Sequence, residues 1–278
     1  MSNNYLKAYV YMVYMYELSI VVLAAGKSSR FGGEPKLLSK VGQNKETLLE
    51  VSLTQIQNYF KINKLCIVLG PHNTRSIQKA IEEMNLVHKL NCELVYTLQD
   101  EARGTAHALN TIYEKITTAF LLLNSDDLYG EATFEMLSKC MDKGDNYVIG
   151  YPIGETLKDT NPANRAFIQC NQEYNVSKLQ EKLQVRRSFY SPNELNEIIV
   201  SVNLFYLQPE VLNKLKLHVE RVLEDECFEG EIMLPSVLNT FIEKHDMTLK
   251  CLKSAGEWLG VTYKDDVKSV KQSLKSRK

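Results

Sequence analysis

Several features that mark specialised classes of protein are missing from these 278 residues. None of the six cysteines has a partner at Cys-x-x-Cys spacing, which argues against a zinc site and a disulfide scaffold. The formal net charge is only −1, so no overall field favours nucleic acid or an anionic membrane. We therefore expect a cytoplasmic protein in a reducing compartment, with neither nucleic acid nor a membrane as its partner.

The tyrosine-rich start of the chain does not have the features of a membrane span or a signal peptide. The stretch from Tyr5 to Tyr16 is too short to span a bilayer and lacks the small-residue cleavage site of a signal peptide. We treat residues 1–16 as an extension of unknown role; a true extension, an upstream start codon and an edge strand all remain open. Residues 17–278 are expected to form one domain, because no repeat or low-complexity linker divides them.

The first half of this domain alternates between short apolar runs and amphipathic stretches. The predicted strands are Ile20–Leu23, Lys64–Gly70, Cys92–Leu98 and Ala119–Leu123, and the predicted helices are Thr47–Phe60, Thr74–Met84 and Thr105–Ile116. Asn73 or Thr74 would cap the second of these helices. The alternation predicts an α/β fold with a doubly wound, mostly parallel, Rossmann-like sheet and helices on both faces.

The second half of the domain has a different pattern, with fewer helices. The predicted strands are Tyr147–Ile153, Ala166–Cys170 and Ile198–Leu207, and the predicted helices are Pro209–Leu217 and Ile232–Lys244. These strands would make the sheet mixed and would extend over it as a β-rich lid.

The loop after the first predicted strand is the most informative stretch. It is rich in small residues, including Gly26 and Ser28, and carries two fixed cations, Arg30 and Lys36. Backbone N–H groups of such a loop can approach an anion closely, and the cations can neutralise a phosphate. The alternative is an ordinary strand-to-helix loop with incidental charges. The P-loop pattern is excluded, because its upstream glycine is absent.

The sequence Leu23-Ala24-Ala25-Gly26-x-x-x-Arg30, followed by Pro35-Lys36, resembles the signature loop of the NDP-sugar pyrophosphorylase-like nucleotidyltransferases. These enzymes make nucleotide sugars from an NTP and a sugar 1-phosphate. The resemblance implies that the loop from Leu23 to Lys27 binds nucleotide, with Lys27 and Arg30 on the β- and γ-phosphates. It also implies that Lys36 stabilises charge on the α-phosphoryl group. Ser28 stands where the family usually has a second glycine.

A second segment of this resemblance follows the third predicted strand. Gly104-Thr105-Ala106 looks like the family segment that packs on the nucleoside, and Gln99 stands five residues before the glycine. A side-chain amide offers one donor and one acceptor edge, which matches uracil or thymine. The resemblance therefore implies that Gln99 selects a pyrimidine, although a solvent-facing strand end remains the alternative. We interpret His107 as a residue of the helix surface.

Two carboxylates end the fourth predicted strand, Asp126 and Asp127. Carboxylate oxygens at this edge of a sheet suit Mg²⁺ that bridges substrate phosphates. The resemblance implies that Asp126 is the metal ligand and leaves Asp127 to orient water or the loop. The alternative is a capping pair at a strand-to-helix turn.

The second half supplies weaker signals for an acceptor. Glu181-Lys182 resembles the family's Glu-Lys-Pro motif, with Leu183 in place of proline. The resemblance implies that Glu181 holds sugar hydroxyls and Lys182 the sugar phosphate; a plain charged surface stretch is the alternative. Asn203 lies in an apolar strand, where it is either satisfied by the protein or in contact with substrate. Glu231 lies in a Gly-Glu-x-x-Leu segment that the family places near the sugar.

One position departs from the family. The segment around Trp258 resembles Trp-x-Asp-x-Gly-Thr, but Gly260 occupies the place of the aspartate, which is often a second metal ligand. Either another residue completes the metal site, or one ligand and the phosphates suffice. Trp258 itself is interpreted as a packing residue.

The resemblance implies transfer of NMP from an NTP, with a pyrimidine favoured, to a phosphorylated small-molecule acceptor such as a sugar 1-phosphate, with Mg²⁺ as cofactor. Residues 17–150 would bind the nucleotide and residues 151–278 the acceptor. The alternatives are a cytidylyltransferase for a non-sugar phosphate such as phosphocholine, and an inactive nucleotide-sugar-binding protein. The sequence does not indicate an oligomeric state.

Overall fold

The computed structural model describes residues 16–276 apart from 142, 143, 160 and 226, and describes Arg30 by its backbone alone. The predicted extension, residues 1–16, lies outside the described residues except for Tyr16. Within the described part, no helix has the length and apolar character that crossing a membrane requires.

The elements alternate in the first half, as the sequence predicts. The strands are β1 Glu17–Ala24, β2 Lys61–Leu69, β3 Glu93–Leu98, β4 Phe120–Asn124, β5 Asp127–Leu128, β6 Tyr147–Pro152, β7 Ala163–Cys170, β8 Val176–Val185, β9 Ile199–Leu207, β10 Lys250–Lys253 and β11 Leu259–Gly260. The helices are α1 Leu48–Gln57, α2 Thr74–Met84, α3 Leu86–Leu90, α4 Thr105–Asn110, α5 Glu131–Cys140, α6 Ile153–Thr156, α7 Pro192–Glu197, α8 Glu210–Leu223, α9 Leu234–Glu243 and α10 Asp266–Ser276.

The main sheet has the strand order β10-β6-β9-β4-β1-β2-β3. Strands β1, β2, β3 and β4 run parallel, and β9 runs antiparallel to both β4 and β6. The β7–β8 hairpin pairs with β9, and β5 pairs with β11 in a separate small ladder. The predicted α/β fold with a mixed, mostly parallel sheet is confirmed.

The central strand β1 shows why helices cover both faces. Its side chains alternate between two apolar clusters: Val21 belongs to the cluster with α4, α8 and α9, whereas Ile20 and Val22 belong to the cluster with α1, α2 and α5. All three side chains have 0% exposure. A strand buried on both faces needs a continuous apolar sequence, and β1 has one.

Two predicted elements differ from the structure. The helix expected over Thr105–Ile116 ends at Asn110, and the hydroxyl of Thr111 bonds to Ala108 O over 2.8 Å. Such a local side-chain bond competes with continuation of the helix. The stretch from Val176 to Val185 forms a strand of the hairpin, and most of its side chains are exposed.

Candidate active site

Two cavities lie at the carboxyl edge of the sheet, where open α/β folds bind ligands. The first has a volume of about 310 Å³, and its lining includes the predicted nucleotide-binding residues Leu23, Ala24, Ala25, Gly26, Gln99, Gly104 and Thr105. The second has a volume of about 290 Å³ and is lined mainly by polar side chains. Lys36, Asn124 and Asp126 line both cavities, so the two meet at these three residues.

The small-residue loop after β1 is held by side chains from the segment after β2. Asn73 Nδ2 donates to Ala24 O over 2.7 Å, and His72 Nε2 lies 3.1 Å from Gly26 O. Asn73 Oδ1 also accepts from Gly70 N over 3.0 Å. The sequence predicts Asn73 or Thr74 as a helix cap. Asn73 occupies the N-cap position, but its side chain makes no capping bond, because Nδ2 bonds to the loop after β1 and Oδ1 bonds within its own turn.

The predicted phosphate-binding cations are not all brought to the first cavity. Lys27 is exposed and is not among the described lining residues of either cavity. Arg30 lies in the 3-10 turn Ser29–Phe31, with only its backbone described. Their assignment to the β- and γ-phosphates therefore stays a prediction. Lys36, by contrast, lines both cavities.

Gln99 lines the first cavity and is 5% exposed, so it is not a solvent-facing strand end. Its Nε2 donates to Gly104 O over 3.0 Å and lies 3.2 Å from His107 Nδ1. Because a carbonyl can only accept, the first contact fixes which way the amide points. Both described hydrogen bonds of this side chain use the amide nitrogen, and neither uses Oε1. His107, interpreted from the sequence as a surface residue, thus contacts the candidate base-reading side chain.

Gly104 allows the segment before α4 to pack directly on the segment before α9. Its φ is +90°, and a Cβ there would lie 2.5 Å from Ile232 O. The hydroxyl of Thr105 accepts from Leu234 N over 2.9 Å, which strengthens the same contact. This packing carries Glu231 into the lining of the first cavity. The family resemblance implied a place near the acceptor for Glu231, whereas the structure places it beside the predicted nucleotide-binding residues.

Asp126 and Lys36 form a salt bridge where the two cavities meet. Lys36 Nζ lies 2.8 Å from Asp126 Oδ2, and the side chains are 15% and 31% exposed. The backbone of Asp126 is held by a bond from Val261 N to its carbonyl over 2.8 Å. The predicted metal ligand and the predicted α-phosphate cation are therefore in direct contact.

The neighbouring Asp127 is buried, with 7% exposure. Its Oδ2 accepts from Asn124 Nδ2 over 2.9 Å. Burial, and secondarily the charge of Asp126, raises the pKa of Asp127 to about 7. The carboxyl also lines the second cavity, so it is more than a helix cap.

The structure explains the departure at Gly260. Gly260 pairs with Asp127 in the β5–β11 ladder, and a Cβ at 260 would lie 2.3 Å from Trp258 Cζ2 and 3.0 Å from Asp127 Oδ1. The indole of Trp258 therefore occupies the space of a side chain at 260. The carboxyl of Asp127 lies beside the same point.

These residues fit a magnesium ion. The two adjacent carboxyls and the amide of Asn124 are hard oxygen donors, which Mg²⁺ prefers. The described residues hold no cluster of three or more His, Cys, Asp or Glu. Such a metal would therefore take part of its coordination from substrate phosphates and water, as Mg²⁺ commonly does.

The second cavity contains two of the predicted acceptor-binding residues, Glu181 and Asn203. Burial raises the pKa of Glu181 to about 7, with Arg165 acting in the opposite direction. Asn203 has a φ of +63° where the register between β6 and β9 shifts. An irregularity of this kind re-aims a side chain, and it occurs often beside active sites.

Arg165 is a cavity residue that the sequence analysis missed. It lines the second cavity, and its guanidinium carbon lies 5.0 Å from the centre of the Trp258 ring. Burial lowers the pKa of Arg165, and the charges of Asp127 and Glu181 raise it. In the sequence Arg165 stands just before the predicted strand Ala166–Cys170, and nothing in that pattern marks it as buried.

The structure corrects the placement of Lys182. Its ammonium lies 4.0 Å from the centre of the Phe167 ring and lines a separate cavity of about 410 Å³. Successive side chains of a strand point to opposite faces. Glu181 therefore enters the second cavity while Lys182 leaves it, so a role for Lys182 at the acceptor phosphate does not fit.

Comparison with curated proteins finds distant relatives. The chain is 25% identical over 256 residues to the bifunctional protein GlmU of Methanococcus maripaludis strain C7, which covers 91% of this chain and 53% of that protein. The bifunctional protein GlmU of Methanococcus maripaludis strain C5 is 26% identical over 231 residues. That match covers 81% of this chain and 47% of the GlmU protein. The chain thus spans about half the length of these relatives.

Solved structures share the fold at low sequence identity. The inositol-1-phosphate CTP transferase from T. maritima has a TM-score of 0.65 at 14% identity, covering 95% of this chain and 97% of that one. UDP-glucose pyrophosphorylase complexed with UDP-glucose has a TM-score of 0.67 at 14% identity. The match covers 94% of this chain and 99% of that one. The family model described as nucleotidyl transferase matches residues 19–275. The chain belongs to the nucleotidyl transferase family.

Proposed function

We propose that this protein transfers the NMP group of an NTP, with a pyrimidine favoured, to the phosphate of a polyol or sugar 1-phosphate, releasing pyrophosphate. The observation that carries the proposal is the meeting of two cavities at Lys36 and Asp126. One cavity holds the nucleotide motifs, and the other is polar and of a size for a small acceptor.

The reaction needs no general base from the protein. An oxygen of the acceptor phosphate, already ionised at neutral pH, attacks the α-phosphorus. The bond from the α-phosphorus to the bridging oxygen breaks, and pyrophosphate leaves with the electron pair. Catalysis then consists of positioning and charge neutralisation. Lys36 would neutralise charge between the two substrates, and its presence in the lining of both cavities supports this role.

Asp126 is the residue that would hold magnesium, with Asp127 the nearest candidate for a second carboxyl. When bound, the ion would neutralise phosphate charge and orient the phosphates for in-line attack. Lys36 holds the Asp126 carboxylate in the meantime by their salt bridge. Asn124 fixes the Asp127 carboxyl by its amide bond.

The base is assigned to the first cavity. Gln99 would present Oε1 to a hydrogen-bond donor on the base, such as N3–H of uracil or thymine or the amino group of cytosine. Gly104 keeps this part of the wall free of side-chain atoms. This arrangement supports binding of a pyrimidine, without choosing among UTP, dTTP and CTP.

The second cavity favours a polyol phosphate over phosphocholine. Glu181, Asn203 and Asn164 line it with groups that bond hydroxyls. Trp258 is the one aromatic side chain in its described lining, and Arg165 lies over that ring. Quaternary ammonium ligands are recognised by open aromatic faces. The solved relatives point the same way, since their names pair inositol 1-phosphate with CTP and glucose with UDP.

A pyrophosphate-release assay tests the proposal. Each of UTP, dTTP, CTP, ATP and GTP is combined with Mg²⁺ and glucose 1-phosphate, N-acetylglucosamine 1-phosphate, inositol 1-phosphate or phosphocholine. We expect release that requires both substrates, a pyrimidine nucleotide and a polyol phosphate. Preference for phosphocholine would contradict the acceptor class. Nucleotide binding with no release from any pair would favour an inactive nucleotide-sugar-binding protein.

A further inference from the structure

Arg165 has a partly buried charge whose direct hydrogen-bond partners are all neutral. Nε donates to Thr156 Oγ1 over 3.0 Å, Nη2 donates to Thr156 O, and Nη1 donates to Asn164 O over 2.7 Å. Among the described residues no carboxylate forms a salt bridge with it. Asp127, Glu181 and Asp126 act on this charge only through space, without a direct bond to it. The guanidinium therefore has no anion in direct contact within the described residues, and an acceptor phosphate can supply one.

The guanidinium retains donors for such an anion. It has five N–H donors. The three described bonds leave two of them, one on Nη1 and one on Nη2. Two neighbouring N–H groups match the spacing of two oxygens of a phosphate, which arginine binds as a fork.

The surroundings hold the guanidinium in one place. Thr156 fixes one edge of the group by two bonds, and the Trp258 ring supports its face at 5.0 Å. Trp258 in turn lies against Gly260, which pairs with Asp127. Arg165 and Asp126 line the same cavity, so the free donors lie on the acceptor side of the proposed reaction centre.

We propose that Arg165 binds the phosphate of the acceptor and so does the work that the sequence motif assigned to Lys182. The inference rests on the proposed function and names the residue that recognises its second substrate. The cation is supplied by β7 instead of β8. Arg165 is an acceptor-binding residue and has no part in holding the nucleotide, since it is not in the described lining of the first cavity.

Matched variants test the assignment by steady-state kinetics. R165Q removes the charge from the second cavity, and K182Q removes an equal charge from the register partner of Arg165 on β8, which lines a different cavity. With the best acceptor of the four-compound panel, we expect R165Q to lower kcat/KM for the acceptor on the order of 100-fold, because a charge-assisted fork is lost. KM for the nucleotide should stay within about twofold, and K182Q should resemble the wild type within the same margin.

A binding experiment covers the case in which the panel contains no substrate. The probe is inorganic phosphate, added to protein saturated with Mg²⁺ and a non-hydrolysable UTP analogue, and the readout is Tm. Ligands that bind the folded state raise Tm. Phosphate should raise the Tm of the wild type and of K182Q, and the increment should be lost in R165Q. R165K, which keeps the charge without the fork, should recover part of it.

The outcomes separate this inference from the proposed function. Pyrophosphate release by the wild type with an unchanged acceptor KM in R165Q would overturn the role of Arg165 and leave the function standing. Loss of acceptor affinity in K182Q instead would restore the assignment to Lys182. If R165Q also loses the Tm increment caused by the nucleotide analogue, its effect is not specific to the acceptor and the inference fails.

Discussion

Lys36 Nζ lies 2.8 Å from Asp126 Oδ2, where the two cavities meet. Partial burial makes this contact stronger than an exposed ion pair, which is generally worth about 0–1 kcal/mol. The lysine holds the carboxylate in one orientation in the free protein. When substrate phosphates enter the cavities, they compete with Asp126 for the Lys36 ammonium. The ammonium can then move from the carboxylate to a phosphate.

Asp126→Asn should remove turnover while keeping the fold. The amide cannot supply the negative charge that a bridging metal and Lys36 require, so kcat should fall on the order of 1,000-fold. The Tm should change by only a few degrees, because the side chain is at the edge of a cavity and one-third exposed. The exposed Asp265→Asn, which loses a surface pair with Lys268, is the control and should retain activity.

Gln99→Leu should affect nucleotide choice more than acceptor binding. The amide contacts Gly104 and His107 and leaves Oε1 for the base. Loss of one neutral hydrogen bond in a closed site should raise KM for UTP by about 10-fold and narrow the preference for UTP over ATP. Competition kinetics with both nucleotides measures this ratio. The control Gln172→Leu, in an exposed turn, should leave the UTP-to-ATP ratio unchanged. An unchanged ratio in Gln99→Leu would show that Gln99 does not recognise the base.

Gly260→Ala should destabilise the protein through crowding. The added Cβ would lie 2.3 Å from Trp258 Cζ2, a contact that forces the indole to move. Overpacking of this kind costs about 1–3 kcal/mol in free energy of unfolding, which urea denaturation measures. Gly26→Ala is the control for stability, since a Cβ there meets no atom within 4 Å. In the double variant Gly260→Ala/Trp258→Leu, the smaller side chain at 258 should remove the destabilisation caused by the alanine. If the two changes in free energy of unfolding simply add, the two residues do not compete for space.

Glu181 should make stability depend on pH in the unliganded protein. Its pKa is raised by burial from the usual 4.5 to about 7, so the folded state binds a proton that the unfolded state has lost. The contribution of the Glu181 proton to the free energy of unfolding is fully present below about pH 4.5. It is lost as the pH rises through about 7. The difference between wild type and Glu181→Gln in free energy of unfolding should shift on the order of 2 kcal/mol across this window.

Urea denaturation at pH 5 and pH 8 measures that shift. Glu181→Gln should be the more stable protein, relative to wild type, at the higher pH. Glu173→Gln, which changes an exposed carboxyl in the turn before β8, should reproduce the wild-type difference. Equal shifts in both variants would assign the pH dependence to other groups.

Much of the first cavity could be predicted from the sequence, because its parts are local. The segment from Leu23 to Gly26 ends a strand with a continuous apolar run and begins the loop after it, and Asp126 closely follows another strand of the same kind. Parallel strands place their carboxyl ends at one edge of the sheet, so the two meet without any knowledge of side-chain packing. Asn73 was assigned to a helix cap because its partner Ala24 O is 49 positions away in sequence.

The acceptor side could not be predicted in the same way. The charged residues from Val176 to Val185 do not have an alternation that predicts a strand, and strand geometry places Lys182 in a different cavity from Glu181. Arg165 is held by Thr156, which lies in a separate short helix, and by Trp258, which is distant in the chain. Similarly, Gly260 reads as a lost carboxylate in sequence, and only the packing of Trp258 explains it.

The fate of labelled phosphates tests the central claim most directly. The protein is given Mg²⁺, a polyol phosphate acceptor and UTP labelled either at the α- or at the γ-phosphorus. The account predicts that the α-label appears in a nucleotide-linked acceptor and the γ-label in pyrophosphate. Transfer of the γ-label to the acceptor, or its release as orthophosphate, would contradict nucleotidyl transfer at this site.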